Sequence, residues 1–138
     1  MRKVFIRLTS FLLLLSLLGN LHATVSANEI VPRYTNVNCC TSEIKTPSPS
    51  GSSVCYATLV AKDASTSLRL SVALQHYING SWVTVKSWIT SGIGYAEINK
   101  TYTLVKGYTY RLCACGYLYS TNGTLTECAE AIYTYIYN

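Results

Sequence analysis

The sequence predicts an all-β protein, built as a single small antiparallel β-sandwich of six to seven strands and stapled by disulfides. Three observations support this prediction. Short segments alternate apolar and polar residues with a period of two, and turn signals separate them about every 8–12 residues. The chain of 138 residues also contains six cysteines behind a start that resembles an export signal. An even number of cysteines in a short secreted chain indicates disulfides.

The first 27 residues have the composition of a secretory signal peptide. Three basic residues precede an apolar run over residues 8–19, which is too short to span a bilayer. The tripeptide Val-Ser-Ala at 25–27 then places small residues at the positions that a signal peptidase requires. We therefore expect residues 1–27 to be removed and residues 28–138 to be secreted, with no membrane anchor in the mature chain.

The charge of the mature chain is close to balanced. The full chain has 11 Lys and Arg against 6 Asp and Glu, for a net charge of +5. Removal of the three basic residues of the signal peptide leaves 8 against 6, for a net charge of +2. These eight residues are scattered singly, whereas a nucleic-acid site needs its cations clustered on one face. We expect no nucleic-acid partner, and a single small domain that is a monomer.

We divide the mature chain into two parts. Residues 28–53 are an amino-terminal lead-in with a loop rich in proline and serine, and residues 54–138 are the β-sandwich domain. The predicted strands are 54–61, 67–78, 82–89, 95–105, 108–119 and 124–137. A helix is an alternative in the last segment because it contains two alanines and two glutamates, but its alternation and its aromatic residues favour a strand.

The strand predicted over 67–78 shows the clearest period of two, because leucines and valines alternate with polar or small residues. Asn79-Gly80 follows it as a hairpin turn, which returns the chain along residues 82–89. The residues expected in the core are Leu68, Leu70, Val72 and Leu74 on the first of these strands, and Val83, Val85 and Ile89 on the second.

One turn resembles a feature of known sandwiches. The pattern Leu104-x-x-Gly107-x-x-Tyr110-x-Leu112 resembles the turn that enters the sixth strand of fibronectin type III and immunoglobulin-like domains. A tyrosine there packs back over the corner through its hydroxyl, and the matching residue is Tyr110. The resemblance implies an immunoglobulin- or fibronectin-like sandwich. The Cys/Trp/Cys core of antibody domains is not reproduced, because no tryptophan lies on 67–78.

A broader resemblance covers nearly the whole mature chain. The segments that carry it are "PRYT", "LQHYINGSWVTVKSW", "KTYTLVKGYTYRL" and "GTLTE". They resemble a family of short secreted proteins of unknown function from Clostridia-type Gram-positive bacteria. This resemblance implies a bacterial extracellular protein of one β domain, and it carries over no catalytic residues.

Groups that could perform catalysis are few. After loss of the signal peptide, His76 is the single histidine and Asp63 the single aspartate. A catalytic triad or dyad needs a base that another group orients, and His76 lies beside a turn with no acidic residue near it in the sequence. Paired carboxylates could be built from Glu97, Glu127 and Glu130, but Glu127 and Glu130 have opposite parity on a strand and cannot face one another. An enzyme is therefore disfavoured, and we expect no cofactor.

The cysteines of the mature chain are Cys39, Cys40, Cys55, Cys113, Cys115 and Cys128. A metal site is disfavoured, because their spacing does not match a zinc knuckle and thiols are oxidised outside the cell. A four-residue turn over 120–123 would place Cys115 opposite Cys128, and we predict a disulfide between them. Cys113 would then pair with one of the two adjacent cysteines near the amino terminus, and Cys55 with the other. A two-residue Asn-Gly turn would instead place Cys128 opposite Tyr117.

The tryptophans offer the best signal for binding. Trp82 and Trp88 are six residues apart on one predicted strand and therefore share a face, with Lys86 between them. Exposed aromatic residues on a flat sheet stack on sugar rings or contact protein partners. The alternative is that both indoles pack into the core, as most large aromatic residues do.

These observations favour a non-enzymatic secreted protein that binds an extracellular glycan or protein through Trp82, Lys86 and Trp88. A small secreted toxin-like, effector or immunity protein is the alternative. No catalytic, cofactor-binding or metal-binding residue is predicted.

Overall fold

The computed structural model describes residues 34–138, which form seven antiparallel strands and no helix. The strands are β1 (Val37–Ile44), β2 (Ser52–Ala61), β3 (Ser67–Ile78), β4 (Ser81–Ile93), β5 (Tyr95–Thr103), β6 (Tyr108–Tyr119) and β7 (Leu125–Tyr137). The predicted signal peptide lies outside the described residues. The predicted all-β class is confirmed, and the last segment is a strand.

Two sheets bury one core between them. The first sheet has the order β1-β2-β5 and the second the order β4-β3-β6-β7. The first sheet contributes Ile44, Cys55, Ala57, Leu59 and Ile98 to the core, and the second contributes Leu68, Leu70, Val72, Leu74, Leu112, Ala114 and Leu118. All four residues predicted inside on β3 are buried to 2% exposure or less, so the alternation along that strand is confirmed.

The predicted core face of β4 is wrong. Ile89 is 59% exposed and Val83 is 44% exposed, whereas Val85 is partly buried against the core. The cause at Ile89 is a β-bulge: Leu74 pairs with Lys86 but Gln75 pairs with Thr84, so Val85 is an extra residue in β4. Val83 pairs with His76 on the core side and is exposed near the beginning of the strand. An extra residue reverses the alternation of a strand, and a period-two reading of residues 82–89 assigns the faces incorrectly.

The boundary of the domain lies earlier than predicted, because the lead-in contains a strand. β1 pairs antiparallel with β2, and its two ends are buried at Val37 and Ile44. The carboxylate of Glu127 on β7 accepts hydrogen bonds from the backbone N–H groups of Thr35 and Asn36, each at 2.7 Å. The chain is therefore part of the fold from its first described residues.

The predicted role of Tyr110 is confirmed. Its ring is 2% exposed, and its hydroxyl accepts a hydrogen bond from the N–H of Val105 at 2.9 Å. The bond reaches five residues back along the chain and secures the turn that leads into β6.

The hairpin between β6 and β7 has a different register from the predicted one. Ser120 N–H donates to Thr124 O, and Gly123, with φ +81°, closes a three-residue loop over 121–123. A bulge follows, because Tyr119 pairs with Leu125 and Leu118 with Glu127. Cys128 therefore lies opposite Tyr117, and Cys115 opposite Glu130. The predicted placement of Cys115 opposite Cys128 is wrong.

Between β4 and β5 the chain passes from the four-stranded sheet to the three-stranded sheet at a single residue, Gly94. β4 ends at Ile93 in the four-stranded sheet, and β5 begins at Tyr95 in the three-stranded sheet. Gly94 N–H donates to Thr66 O at 2.8 Å, and Gly94 O accepts from Ala61 N–H at 2.9 Å. This corner holds β4 and β5 together at one end, and the two strands diverge from it because they belong to different sheets.

Candidate functional site

The candidate site is the solvent-facing side of the four-stranded sheet, which we call the outer face. Residues of β3 and β6 that alternate with the buried ones point to this side. It carries four isoleucines, each at least 59% exposed: Ile89, Ile93, Ile132 and Ile136. Each pairs with an outward residue of β3 or β6, so all four lie on the same side of the sheet. Two of the isoleucines lie on β4 and two on β7, the opposite edge strands of the sheet, and outward residues of β3 and β6 such as Arg69, Ser71 and Cys115 lie between the two pairs. Each pair gives its edge of the outer face an apolar character.

Three further residues form a compact group at one end of the outer face, which we call the Trp82 cluster: Tyr77, Trp82 and Arg111. Tyr77 pairs with Trp82 across β3 and β4, and their ring centroids are 5.1 Å apart. The Arg111 guanidinium carbon lies 4.4 Å from the centroid of the Trp82 ring, within range for a cation–π interaction. Tyrosine, tryptophan and arginine are the three residue types most enriched among the energetic centres of protein interfaces.

The position of the arginine is set by its neighbours. Arg111 Nε donates to Gln75 Oε1 at 2.6 Å, and Gln75 Nε2 donates to Thr84 Oγ1 at 3.0 Å. The chain of bonds runs across β6, β3 and β4 and holds the guanidinium over the Trp82 ring. The bond to Gln75 uses Nε, so the two terminal nitrogens lie outside it. A guanidinium in this orientation can bind a carboxylate through both terminal nitrogens.

The structure separates the residues that the sequence placed together. Trp82 pairs with Tyr77 on the outer face, whereas Trp88 pairs with Val72 on the core side and is only partly exposed. Lys86 pairs with Leu74 and shares the core-side face of β4 with Trp88. The predicted stripe of Trp82, Lys86 and Trp88 on one face is therefore wrong because Trp82 is on the opposite face, and the bulge at Val85 is the reason. Sequence reasoning missed Tyr77, Arg111 and the isoleucines. The alternation of Ile132, Thr134 and Ile136 was the available signal for an apolar outward face on β7.

All six cysteines carry free thiols in the structure. Cys55 is in the core, where burial raises the pKa of its thiol to about 11. Burial and the neighbouring Cys39 raise the pKa of Cys40 to about 11. Thiols with such pKa values are almost fully protonated at neutral pH and are weak nucleophiles.

Three of the cysteines, Cys113, Cys115 and Cys128, lie on the outer face. Partial burial is the main cause that raises the pKa values of Cys113 and Cys115. Cys113 is on the outward side of the four-stranded sheet, whereas Cys39 and Cys40 are on β1 of the other sheet, and Cys55 lies opposite Ile44 and not opposite either of them. The predicted bridges from Cys113 and from Cys55 to the Cys39-Cys40 pair do not match this arrangement. Within residues 34–138, no group of three or more His, Cys, Asp or Glu side chains is arranged to hold a metal ion.

His76, Glu97 and Glu127, which were considered as catalytic groups, each make contacts that hold side chains or strands together. His76 stacks on Tyr108 with ring centroids 5.3 Å apart, at the end of the core near Tyr110. Glu97 accepts hydrogen bonds from the hydroxyls of Tyr56 and Tyr95, and the bond from Tyr95 raises the pKa of that phenol. The Glu97 carboxylate thus holds two tyrosine side chains, and the Glu127 carboxylate holds the backbone before β1 against β7.

A scan against known protein families and a search of curated proteins each returned no match to this chain. Among the described residues, none belongs to a helix of the length and hydrophobicity needed to cross a bilayer.

Proposed function

We propose that the chain is an exported interaction module that binds a protein partner through the outer face of its four-stranded sheet. The observation that carries the proposal is the presence of four exposed isoleucines and the Trp82 cluster on one face of the sheet. Exposed aliphatic residues together with a Tyr, Trp and Arg cluster give this face the composition of a protein interface.

The composition of the outer face favours a protein over a glycan at this site. A sugar presents hydroxyls that need hydrogen-bonding partners, and isoleucine side chains supply none. The same side chains lose water favourably when they meet the apolar residues of another protein, by about 25 cal/mol for each Å² buried. The terminal nitrogens of Arg111 select a carboxylate, so the expected partner surface combines apolar residues with an Asp, a Glu or a chain terminus.

The architecture supports an immunoglobulin- or fibronectin-like class for this domain. It has seven strands in two sheets, and the Tyr110 hydroxyl bonds to the backbone before the sixth strand. Many domains of this class are extracellular, and the fold by itself defines no ligand. The functional proposal therefore depends on the outer face and not on the fold.

Export is the second part of the proposal. The basic and apolar leader and the Val-Ser-Ala site support cleavage after Ala27, and mass spectrometry of protein from the culture medium should find Asn28 at the amino terminus. Recovery of the intact chain from the membrane fraction would contradict it.

Oxidation outside the cell is expected to act on the outer-face cysteines, where Cys115 and Cys128 are diagonal neighbours. Diagonal Cα atoms are about 7–8 Å apart, so a bridge needs a small shift of the strands into the disulfide range. Peptide mapping without reduction should find this pair linked, and free thiols at both positions would contradict the bridge.

The binding proposal is tested with peptides selected from a phage-displayed random library on the immobilised secreted protein. Trp82→Ala should weaken the selected peptides by about 30-fold, as expected for an interface centre worth about 2 kcal/mol. Ile132→Ser should weaken them by about 10-fold, because it removes apolar contact area. The matched control is Val105→Ser: Val105 is 58% exposed against 61% for Ile132, and it lies in the loop before β6.

The expected result for Val105→Ser is a change of less than about twofold, within the range of ordinary surface substitutions. The thermal midpoint of all three variants should be measured, so that a loss of fold is not mistaken for a loss of binding. Selected peptides that bind the Trp82 and Ile132 variants as well as the original protein would place the partner site elsewhere.

A further inference from the structure

We propose that the cleft between β4 and β5 is a separate site that binds an acidic sugar. The outer face belongs to one sheet, whereas this cleft opens between the two sheets on the side where they are not hydrogen-bonded to each other. It extends beyond the proposed protein-binding function and does not depend on it. The observations that carry the proposal are the geometry of the corner at Gly94 and the residues that it sets opposite one another.

The cleft is V-shaped with Gly94 at its apex. β4 leads into the corner in one sheet and β5 leads out of it in the other, so residues at equal distances from Gly94 face each other across the gap. Four residues from the apex these are Thr90 and Ile98. Six residues from the apex they are Trp88 and Lys100. All four line a single cavity of about 370 Å³.

The side chains of Trp88 and Lys100 stand on the walls that face each other. Trp88 pairs with Val72, whose side chain is in the core, and Lys100 pairs with Cys55, which is also in the core. Paired residues share a face of their sheet, so both side chains rise from the inner faces towards the gap. Ile98 is 3% exposed and forms the floor between them.

The chemistry of the lining suits a ring that carries a negative charge. The Trp88 indole offers a flat apolar surface for the C–H face of a pyranose, and its N–H can donate a hydrogen bond. Lys100 supplies a compact positive charge with three donors, which suits a carboxylate. The Thr90 hydroxyl lies at the lining and can bond to ring hydroxyls. Glu97 and Asn99 also border the cavity, but they pair with Thr58 and Tyr56 on the other face of β5, where the Glu97 carboxylate accepts hydrogen bonds from the Tyr56 and Tyr95 hydroxyls.

The size of the cavity agrees with this assignment. Small-ligand sites measure about 300–1,000 Å³, so the observed volume is near the lower end and fits one or two sugar rings. Both β4 and β5 place polar side chains at the rim of the cavity. An aromatic acid without hydroxyl groups would leave these side chains without hydrogen-bonding partners. The geometry therefore points to a hexuronic acid, either free or within a polysaccharide chain.

The two tryptophans of the protein make the test specific, since Trp82 lies on the outer face and Trp88 in the cleft. Each contributes one indole N–H signal to a ¹⁵N–¹H correlation spectrum. Titration with methyl glucuronide should shift the Trp88 signal and leave the Trp82 signal in place. Methyl glucoside, which has the same ring without the carboxylate, should bind about 3–10-fold more weakly, since exposed ion pairs contribute modestly. Benzoate should bind more weakly than the glucuronide because it lacks hydroxyls.

Lys100→Gln should reduce the affinity for the glucuronide by about 3–10-fold and leave that for the glucoside unchanged. The control is Lys106→Gln, which removes an exposed lysine that lies beside Tyr137 of β7, at the opposite edge of the four-stranded sheet from β4, and should leave both affinities unchanged. Both lysines are exposed, so neither variant should alter the thermal midpoint. An unmoved Trp88 signal, equal affinity for both sugars, or tightest binding of benzoate would each overturn the proposal. An oligosaccharide of several uronic acids that binds more tightly than the monosaccharide identifies a polymer as the source.

Discussion

Leu70→Ala should lower the free energy of unfolding by about 2–5 kcal/mol, which is a large part of the stability of a domain of this size. Leu70 is fully buried at the centre of β3, between strands β4 and β6. Truncation removes its apolar transfer energy and leaves a cavity that strands hydrogen-bonded on both sides cannot collapse to fill. Urea denaturation of the two proteins, fitted with a common slope, measures the difference.

The matched control is Ile89→Ala, which removes an aliphatic side chain from the neighbouring strand. A strict period-two reading places Ile89 in the core, whereas the structure places it on the outer face at 59% exposure. The expected loss is below about 0.5 kcal/mol, the usual range for surface substitutions. A loss similar to that of Leu70→Ala would show that β4 has no bulge and that the sequence-based assignment of its faces was right.

Gly94→Ala should cost about 2–5 kcal/mol, because two effects add. Gly94 has φ +70°, where an L-residue with a Cβ is strained by about 1–2 kcal/mol. A Cβ there would also lie 2.6 Å from the carbonyl oxygen of Ala64, a backbone atom that cannot rotate away. Such overpacking typically costs a further 1–3 kcal/mol. Denaturation midpoints measure the stability, and the cleft between β4 and β5 should change shape with the corner.

Gly80 separates the two effects. It has φ +79° in the turn between β3 and β4, and a Cβ there would meet no atom within 4 Å. Gly80→Ala should therefore show the backbone strain alone, about 1–2 kcal/mol. If both variants lost the same free energy of unfolding, the corner would have relaxed and the close approach to Ala64 would contribute nothing to the cost.

The two proposed sites assign different ligands to different tryptophans. Trp82 lies on the outer face with an arginine held over it, which suits a protein partner. Trp88 contributes to a cleft with a lysine on the opposite wall, which suits an acidic sugar. A protein with both sites could hold a partner protein close to a polysaccharide surface. The variants at Trp82 and Lys100 test each site without affecting the other.

The sequence by itself determined the features that depend on local patterns. Period-two alternation identified β3 and its four core residues, because a buried central strand must place an apolar side chain at every second position. The Asn79-Gly80 turn was identified because this dipeptide adopts the positive φ values that a two-residue hairpin requires. The spacing between Gly107 and Tyr110 identified the corner, since the hydroxyl bond is local in the chain.

Only the tertiary structure decided which face the residues beyond a bulge occupy. The bulges at Val85 and Thr126 each add one residue to a strand. The alternation of apolar and polar residues in the sequence does not reveal where such an extra residue lies. One extra residue reverses the face to which every following side chain of the strand points. Trp82 and Trp88 therefore lie on opposite faces of β4, and Cys128 lies opposite Tyr117 and not opposite Cys115. The Trp82 cluster and the cleft at Gly94 also depend on this register, because their residues come from strands that meet only when the sheets form. Local patterns determine strands and turns, whereas pairing between distant strands determines which side chains meet.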